Sequence, residues 1–525
     1  MNFKKNLSLM MTVLLISACS QDEEAAMPAG EMNVQAESTL DRAIAALGGA
    51  QLLRNMNSFV ISGSGNRYEL DESPEPGGTD PRPEAFDWTI SAENLGADNV
   101  HVRIDSTRDR ASGSHASSLI INGNLGMISG LDSQFNPAPG AMSSDRRAAI
   151  LKELYLLQPH AVLAIAQDNP GEVEERTAVM NGMNFSVLTV QTSVGAISLY
   201  VAADGMISMA TVPDYDYLRG DISLIADFSD WKVSGSGMTY PGSITLRGDG
   251  VLLHEETRRN LTLNNTQQMA NYDIPQELQG AFDQTLHEFG ANSSGVYQNM
   301  ASAGFPRSGT SINVAAQEIA PGVFFIGGSS HNSLVVEQEN GVVVIEAPLH
   351  YLRSQVVLQW IQENFPDKPV SHVVTTHHHT DHSAGVRVYL DEGASLVAHE
   401  VARDFYSEIL SRPHTLGSGA GALTPINIES MPADGSYTIA DPERAVTLYP
   451  LNSGGHANDM IMAYVEGAGV LFMSDTFIPN PNMTEVNGGA ELVAGSIEAA
   501  GIEPAFLAGG HGAVMSGDAF RALFD

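Results

Sequence analysis

The sequence predicts an α+β protein in which a mostly antiparallel β region with few helices precedes a C-terminal sandwich of alternating strands and helices. Three observations carry this reading. Between residues 38 and 288, short alternating apolar runs follow one another, punctuated by Gly, Asn and Asp. Across residues 289–311 the composition shifts to Gly, Ser, Asn and Ala with Pro306, which marks a linker. From Ile312 to Asp525, apolar strands alternate with amphipathic helices. A chain of 525 residues, 43% hydrophobic, has enough apolar surface for such an arrangement in more than one domain.

The N-terminus predicts export. Lys4 and Lys5 precede an apolar run from Leu7 to Ile16 that is too short for a permanent membrane span. It ends in Ile16-Ser17-Ala18-Cys19, which resembles the lipobox of bacterial lipoproteins; residues 1–19 are then a signal, and Cys19 carries the lipid. Ser20, rather than Asp, follows the cysteine. By the rule for such lipoproteins, this implies the outer membrane of a Gram-negative cell. Residues 20–37 (Gln21, Asp22, Glu23, Glu24, then Ala, Met, Pro and Gly) form a polar tether. As a flexible coil it reaches roughly 25 Å. Cys19 is the only cysteine, so the mature chain forms no internal disulfide and offers no thiolate to a metal. With 62 acidic against 26 basic residues, the net charge is −36. Nucleic acid is thereby excluded as a partner, and the acidic surface reads as a solubilising one.

Past the tether, Ser38-Thr39 cap a helix whose Leu40, Ile44 and Leu47 share one face until Gly48-Gly49 stops it. Strands are expected over Ser58 to Gly65, Phe86 to Glu93, Asn99 to Asp105, Asn184 to Thr192, Ala196 to Ala203, Asp221 to Ser229 and Gly242 to Leu246. A helical stretch from Arg146 to Gln167 interrupts them. The order of helix, Gly-Gly and long antiparallel run resembles the half-barrel of lipoprotein-carrier proteins. That resemblance implies either an acyl-chain receptor or a packing partner for the domain that follows.

In the last part, Gly322 to Ile326, Asn332 to Val336 and Val342 to Ile345 read as strands, and Leu352 to Phe365 as an amphipathic helix before Pro366. The apolar strand His372 to Thr375 then runs into Thr376-His377-His378-His379-Thr380-Asp381-His382. A strand end followed by a tight loop aims alternate residues at one point. His377 and His379 can thus hold one ion while Asp381 and His382 turn toward a second, and His378 points away. Imidazole and carboxylate are donors that suit zinc in an open site holding water.

From Ile312 onward this pattern resembles the metallo-β-lactamase superfamily, so the resemblance implies an αββα sandwich. Gly454-Gly455-His456 is similar to the family's third histidine, which would join His377 and His379. The strand Val470 to Met473 leads through Ser474 to Asp475, similar to the family's metal-bridging aspartate. Ala508-Gly509-Gly510-His511 then supplies His511, to complete a second site with Asp381 and His382. The resemblance implies two zinc ions, with iron as the alternative metal. It further implies a shared, activated water as nucleophile, with Asp381 orienting it and His511 helping to balance the developing charge. The implied activity is hydrolysis of a small or lipidic ester, thioester, lactone or amide. The alternatives are a β-lactamase of the all-histidine type, an iron-dependent oxidoreductase of the same fold, or a lipid- or lipoprotein-binding protein. His377 and the lack of a second cysteine exclude the β-lactamase types that use asparagine or cysteine ligands.

Overall fold

In the computed structural model the described residues are 37–279 and 314–525, apart from 69, 98, 111–112, 131–138, 143, 181, 266–269, 329, 417–420, 422 and 424. The expected signal with Cys19, the tether up to residue 36 and the linker 289–311 lie outside them. Thr39–Asp525 forms one compact unit.

The β region is built on one antiparallel sheet of thirteen strands, with a separate two-stranded ribbon of Lys232–Val233 and Thr239–Tyr240. The sheet begins in its own middle, where Ser58–Arg67 pairs on one side with Glu84–Glu93 and on the other with Val251–Leu263. The seven strands expected from sequence all fall on strands of this sheet, and Gly113–Asn122, Leu125–Ser129, Gly140–Ala141, Glu174–Met180, Ile207–Asp216 and Val251–Leu263 join them. Val251–Leu263 escaped the apolar pattern because its inward face is ionic: His254, Glu256 and Arg258 are buried there. The expected helix over 146–167 is two helices, Ser144–Leu157 and Pro159–Asp168, bent by 95°. Pro159 has no N–H to continue the first helix and opens the second. Both helices pack into the sheet, with Ile150, Leu154, Leu157 and Val162 sharing one core with Phe59, Ile61, Leu199 and Leu246. The first helix spans Thr39–Ala46, and a second, Ala50–Arg54, follows directly after Gly49. Among the described residues no single helix is long and apolar enough to cross a membrane.

The C-terminal part is the expected αββα sandwich. One sheet runs Ala315–Ala320, Val323–Gly327, Ser333–Glu337, Val342–Ile345, Val370–Val374, Ser395–His399, Ile428–Met431. The other runs Tyr437–Ile439, Val446–Pro450, Ile461–Val465, Val470–Met473, Phe506–Gly509, Val514–Ser516. Leu334, Val343 and Val374 of the first sheet meet Val446, Ile461 and Phe472 of the second in a shared core. Tyr351–Asn364, Val386–Asp391 and Arg403–Leu410 cover the outer face of one sheet, and Gly488–Ala500 and Gly517–Arg521 that of the other.

Three segments of the β region touch the sandwich, one of them the turn at Asp249, which pairs with Arg412. At the corner after Ile207–Asp216, the Asp221 amide donates to the Pro413 carbonyl at 2.9 Å, and Tyr215 Oη lies 3.1 Å from His414 Nδ1. The loop closed by the Leu70–Thr79 bridge reaches further, where the Asn458 amide donates to the Pro74 carbonyl at 2.9 Å.

Candidate metal centre

All seven metal-ligand candidates read from sequence converge at one edge of the sandwich, on loops that leave strand ends. Val370–Val374 is paired in parallel on both sides, which fixes where its C-terminal end points. His377 and His379 leave it fully buried, and Asp381 and His382 lie on the short helix Thr380–Ser383. His456 follows Gly454 and Gly455, whose φ of 60° and 93° turn the loop back toward the strand. Asp475 follows Val470–Met473 with φ of 52°, a conformation rarely held by a residue with a side chain and one that concentrates at functional sites. His511 follows Phe506–Gly509. A Cβ on Gly510 would come within 2.0 Å of Ser474 Oγ, so only glycine lets this loop approach.

The donors form two sets, His377 with His379 and His456, and Asp381 with His382, His511 and His331. Asp475 lies between them: its Oδ2 is 3.0 Å from His456 Nε2, while its Oδ1 is 2.9 Å from His382 Nε2 and 3.2 Å from His511 Nε2. Four histidines are held from behind, which sets their tautomers. Thr376 Oγ1–H donates to Glu346 Oε1 at 2.5 Å, so His377 Nδ1–H donates to Thr376 Oγ1 at 3.0 Å. His382 Nδ1–H is directed at Glu346 Oε1 at 3.1 Å, His511 Nδ1–H at the Ser330 carbonyl at 3.0 Å, and His379 Nε2–H at the Ser73 carbonyl at 3.0 Å. In His377 and His379, whose pKa values are held low, the other nitrogen keeps its lone pair.

Electrostatics match a cation. Burial, reinforced by neighbouring imidazoles, holds His377 and His379 well below the usual histidine range, which keeps them neutral and able to coordinate. Burial also opposes charge on His382, yet Asp475, Asp381 and Glu346 around it push its pKa well above the usual value. Burial would raise Asp475, but His382, His456 and His511 keep it far below the usual carboxylate range. Among the described residues, the ion pairs of Asp381 and Asp475 are therefore to imidazoles alone. His379 Nδ1 and Asp381 Oδ1 are buried without a hydrogen-bond partner. A divalent cation meets both needs, and the residues present fit one.

His378 turns away, as its alternation predicted, and its Nδ1 lies 2.8 Å from Asp459 Oδ1, both residues buried. Four neighbours of the centre were not singled out from sequence. His331 is buried, with Nε2–H donating to Asp381 Oδ2 at 3.1 Å, and burial lowers its pKa to about 4. Asn332 fixes it: its amide donates to the Gly510 carbonyl at 2.7 Å and its side chain to the Gly509 carbonyl at 2.9 Å. Glu346, at φ of 65°, supports two ligands at once. Glu72, from the β region, lies 3.3 Å from His379. A buried histidine just ahead of the strand Ser333–Glu337 was the one clue within reach of sequence.

The metallo-beta-lactamase superfamily model matches residues 326–511. No curated protein matches the chain. Among solved structures, a metallo-beta-lactamase from Hirschia baltica is 17% identical, with 40% of this chain and 95% of that one covered and a TM-score of 0.30. For a metallo-beta-lactamase from Pontibacter korlensis the figures are 16%, 40%, 98% and 0.32. For the flavodiiron protein from Giardia intestinalis they are 18%, 40%, 58% and 0.30, so this chain spans little more than half of that one.

Proposed function

Starting from a metallo-beta-lactamase superfamily domain over residues 326–511, we propose that the chain is a hydrolase that holds two zinc ions and cleaves a small or lipidic ester, thioester, lactone or amide. The observation that carries this is Asp475, whose two carboxylate oxygens face one histidine set each. His377, His379 and His456 would hold one ion, Asp381, His382 and His511 the other, with Asp475 between them. Ions bound there supply an activated water and polarise the bond it attacks.

The chain's own residues then position and move protons. Partial burial would raise the Asp381 pKa, but His382 and His331 hold it well below the usual range, so it is a carboxylate at neutral pH. The His331 N–H fixes this carboxylate through Oδ2, and the carboxylate orients water and accepts its proton. His511, fixed through Ser330, helps to balance charge that develops on the substrate oxygen. In the same proposal, lipid on Cys19 anchors the mature chain to the outer membrane of a Gram-negative cell, and the strongly acidic surface excludes nucleic acid as a partner.

The test is turnover of thioester, lactone, ester, amide and β-lactam panels by the purified full chain, before and after chelation and after zinc is restored. Hydrolysis that chelation abolishes and zinc restores supports the proposal, and hydrolysis indifferent to chelation overturns it. Turnover confined to β-lactams would select the all-histidine β-lactamase. Oxygen consumption with bound iron would select the oxidoreductase.

A further inference from the structure

We infer that Glu72, carried by a loop of the β region, is a ligand group of the metal centre and shares an ion with His379. The inference rests on the metal-centre reading above and extends it to a residue that lies 307 positions from its partner in the chain.

The loop is clamped on both sides of Glu72. Before it, Asp71 is fully buried at φ of 58°, and Arg219 grips both its oxygens, Nε at 2.7 Å and Nη2 at 2.5 Å. After it, the Ser73 carbonyl accepts the His379 Nε2–H, the Pro74 carbonyl accepts the Asn458 amide, and Glu75 Oε1 accepts from Asn458 Nδ2 at 2.6 Å. Glu72 is thereby delivered to the centre with little freedom, its Oε2 3.3 Å from His379 Nδ1.

Donor logic identifies what belongs between these atoms. With its N–H committed to Ser73, the neutral His379 ring presents a lone pair at Nδ1, and that buried atom has no hydrogen-bond partner. A carboxylate oxygen faces it. Two acceptors at this separation repel unless a cation lies between them. Two ligands on a tetrahedral zinc with bonds of about 2.0–2.1 Å are themselves about 3.3 Å apart. His456 Nε2 and His377 Nε2 show the same 3.3 Å spacing. Glu72, His379 and Asp381 each bring a ligand atom within 4.8 Å of the others, which puts Glu72 on the side of the centre that Asp381 faces. The β region thus completes the metal centre: its Ser73 sets the tautomer of one ligand, and its Glu72 adds another.

The experiment uses the full chain, stripped of metal by dialysis. Zinc affinity is read by competition with a chromophoric chelator, and the ligand field by the visible spectrum of the cobalt-substituted protein. Glu72→Gln keeps shape and removes charge, and should weaken one zinc by about 10–100-fold and alter the cobalt spectrum. Glu174→Gln, an exposed acid on the far edge strand of the same sheet, should leave both near wild type. Should Glu72→Gln fail to fold, Glu72→Asp, which retains the charge but withdraws it by one methylene, is expected to weaken the same ion. Unchanged affinities and an unchanged spectrum in a folded Glu72 variant overturn the inference alone. A wild-type chain that binds no zinc overturns the metal-centre reading instead.

Discussion

Both halves of the molecule bury charge, but they balance it differently. Inside the β region, buried charges are paired with opposite fixed charges: Arg258 Nε lies 2.5 Å from Glu256, Lys152 2.9 Å from Asp214, and Arg67 3.1 Å from Glu153. At the edge of the sandwich, the ion pairs of Asp381 and Asp475 are to histidines alone among the described residues. The first pattern is closed and structural. The second leaves lone pairs and carboxylates converging without a fixed cation, and that deficit, rather than burial of charge as such, marks the functional site.

Substitutions in the two regions should therefore fail in opposite ways. Asp475→Ala should reduce turnover by at least about 10²–10³-fold and lower the zinc content, measured by kinetics and elemental analysis, while the thermal unfolding curve of the metal-free chain changes little. Glu256→Ala should do the reverse. It strands Arg258 in the β region and should cost about 3–5 kcal/mol in a denaturant melt, with zinc content unchanged. If Glu256→Ala lost zinc, the two interiors would not be independent.

pH sharpens the contrast. Burial would raise Glu256, but Arg258 and the His254 Nε2–H hold its pKa down at about 2, against 4.5 for an ordinary glutamate. A carboxylate depressed on folding stabilises the native state above its unfolded pKa and loses that contribution as pH falls toward the folded one. The melting temperature of the metal-free chain should thus fall as pH drops from about 4.5 toward 2. In Glu256→Gln that segment of the profile should be flatter. A smaller effect is expected behind the ligands: Thr376→Val, which removes the support of His377, should weaken zinc binding by about tenfold in a chelator competition.

How much of this could be read from sequence follows the range of the interactions. His377, His379, Asp381 and His382 fall within six positions, and His456, Asp475 and His511 each sit in a glycine-marked loop or at the end of an apolar strand. Local geometry aims them, so local patterns reveal them. His331, Glu346 and Glu72 act through contacts that the chain creates only on folding, and no short pattern announces a lone buried acid. The strands show the same division. Those with apolar inward faces were readable, whereas Val251–Leu263, with His254, Glu256 and Arg258 turned inward, hid behind a pattern that normally means solvent.

The most direct test of the central claim is the metal content of the chain expressed without residues 1–19, purified without added metal and measured by elemental analysis. Near two zinc per chain is the predicted result. A chain that carries no stoichiometric metal, and takes up none when zinc is supplied, would contradict the account.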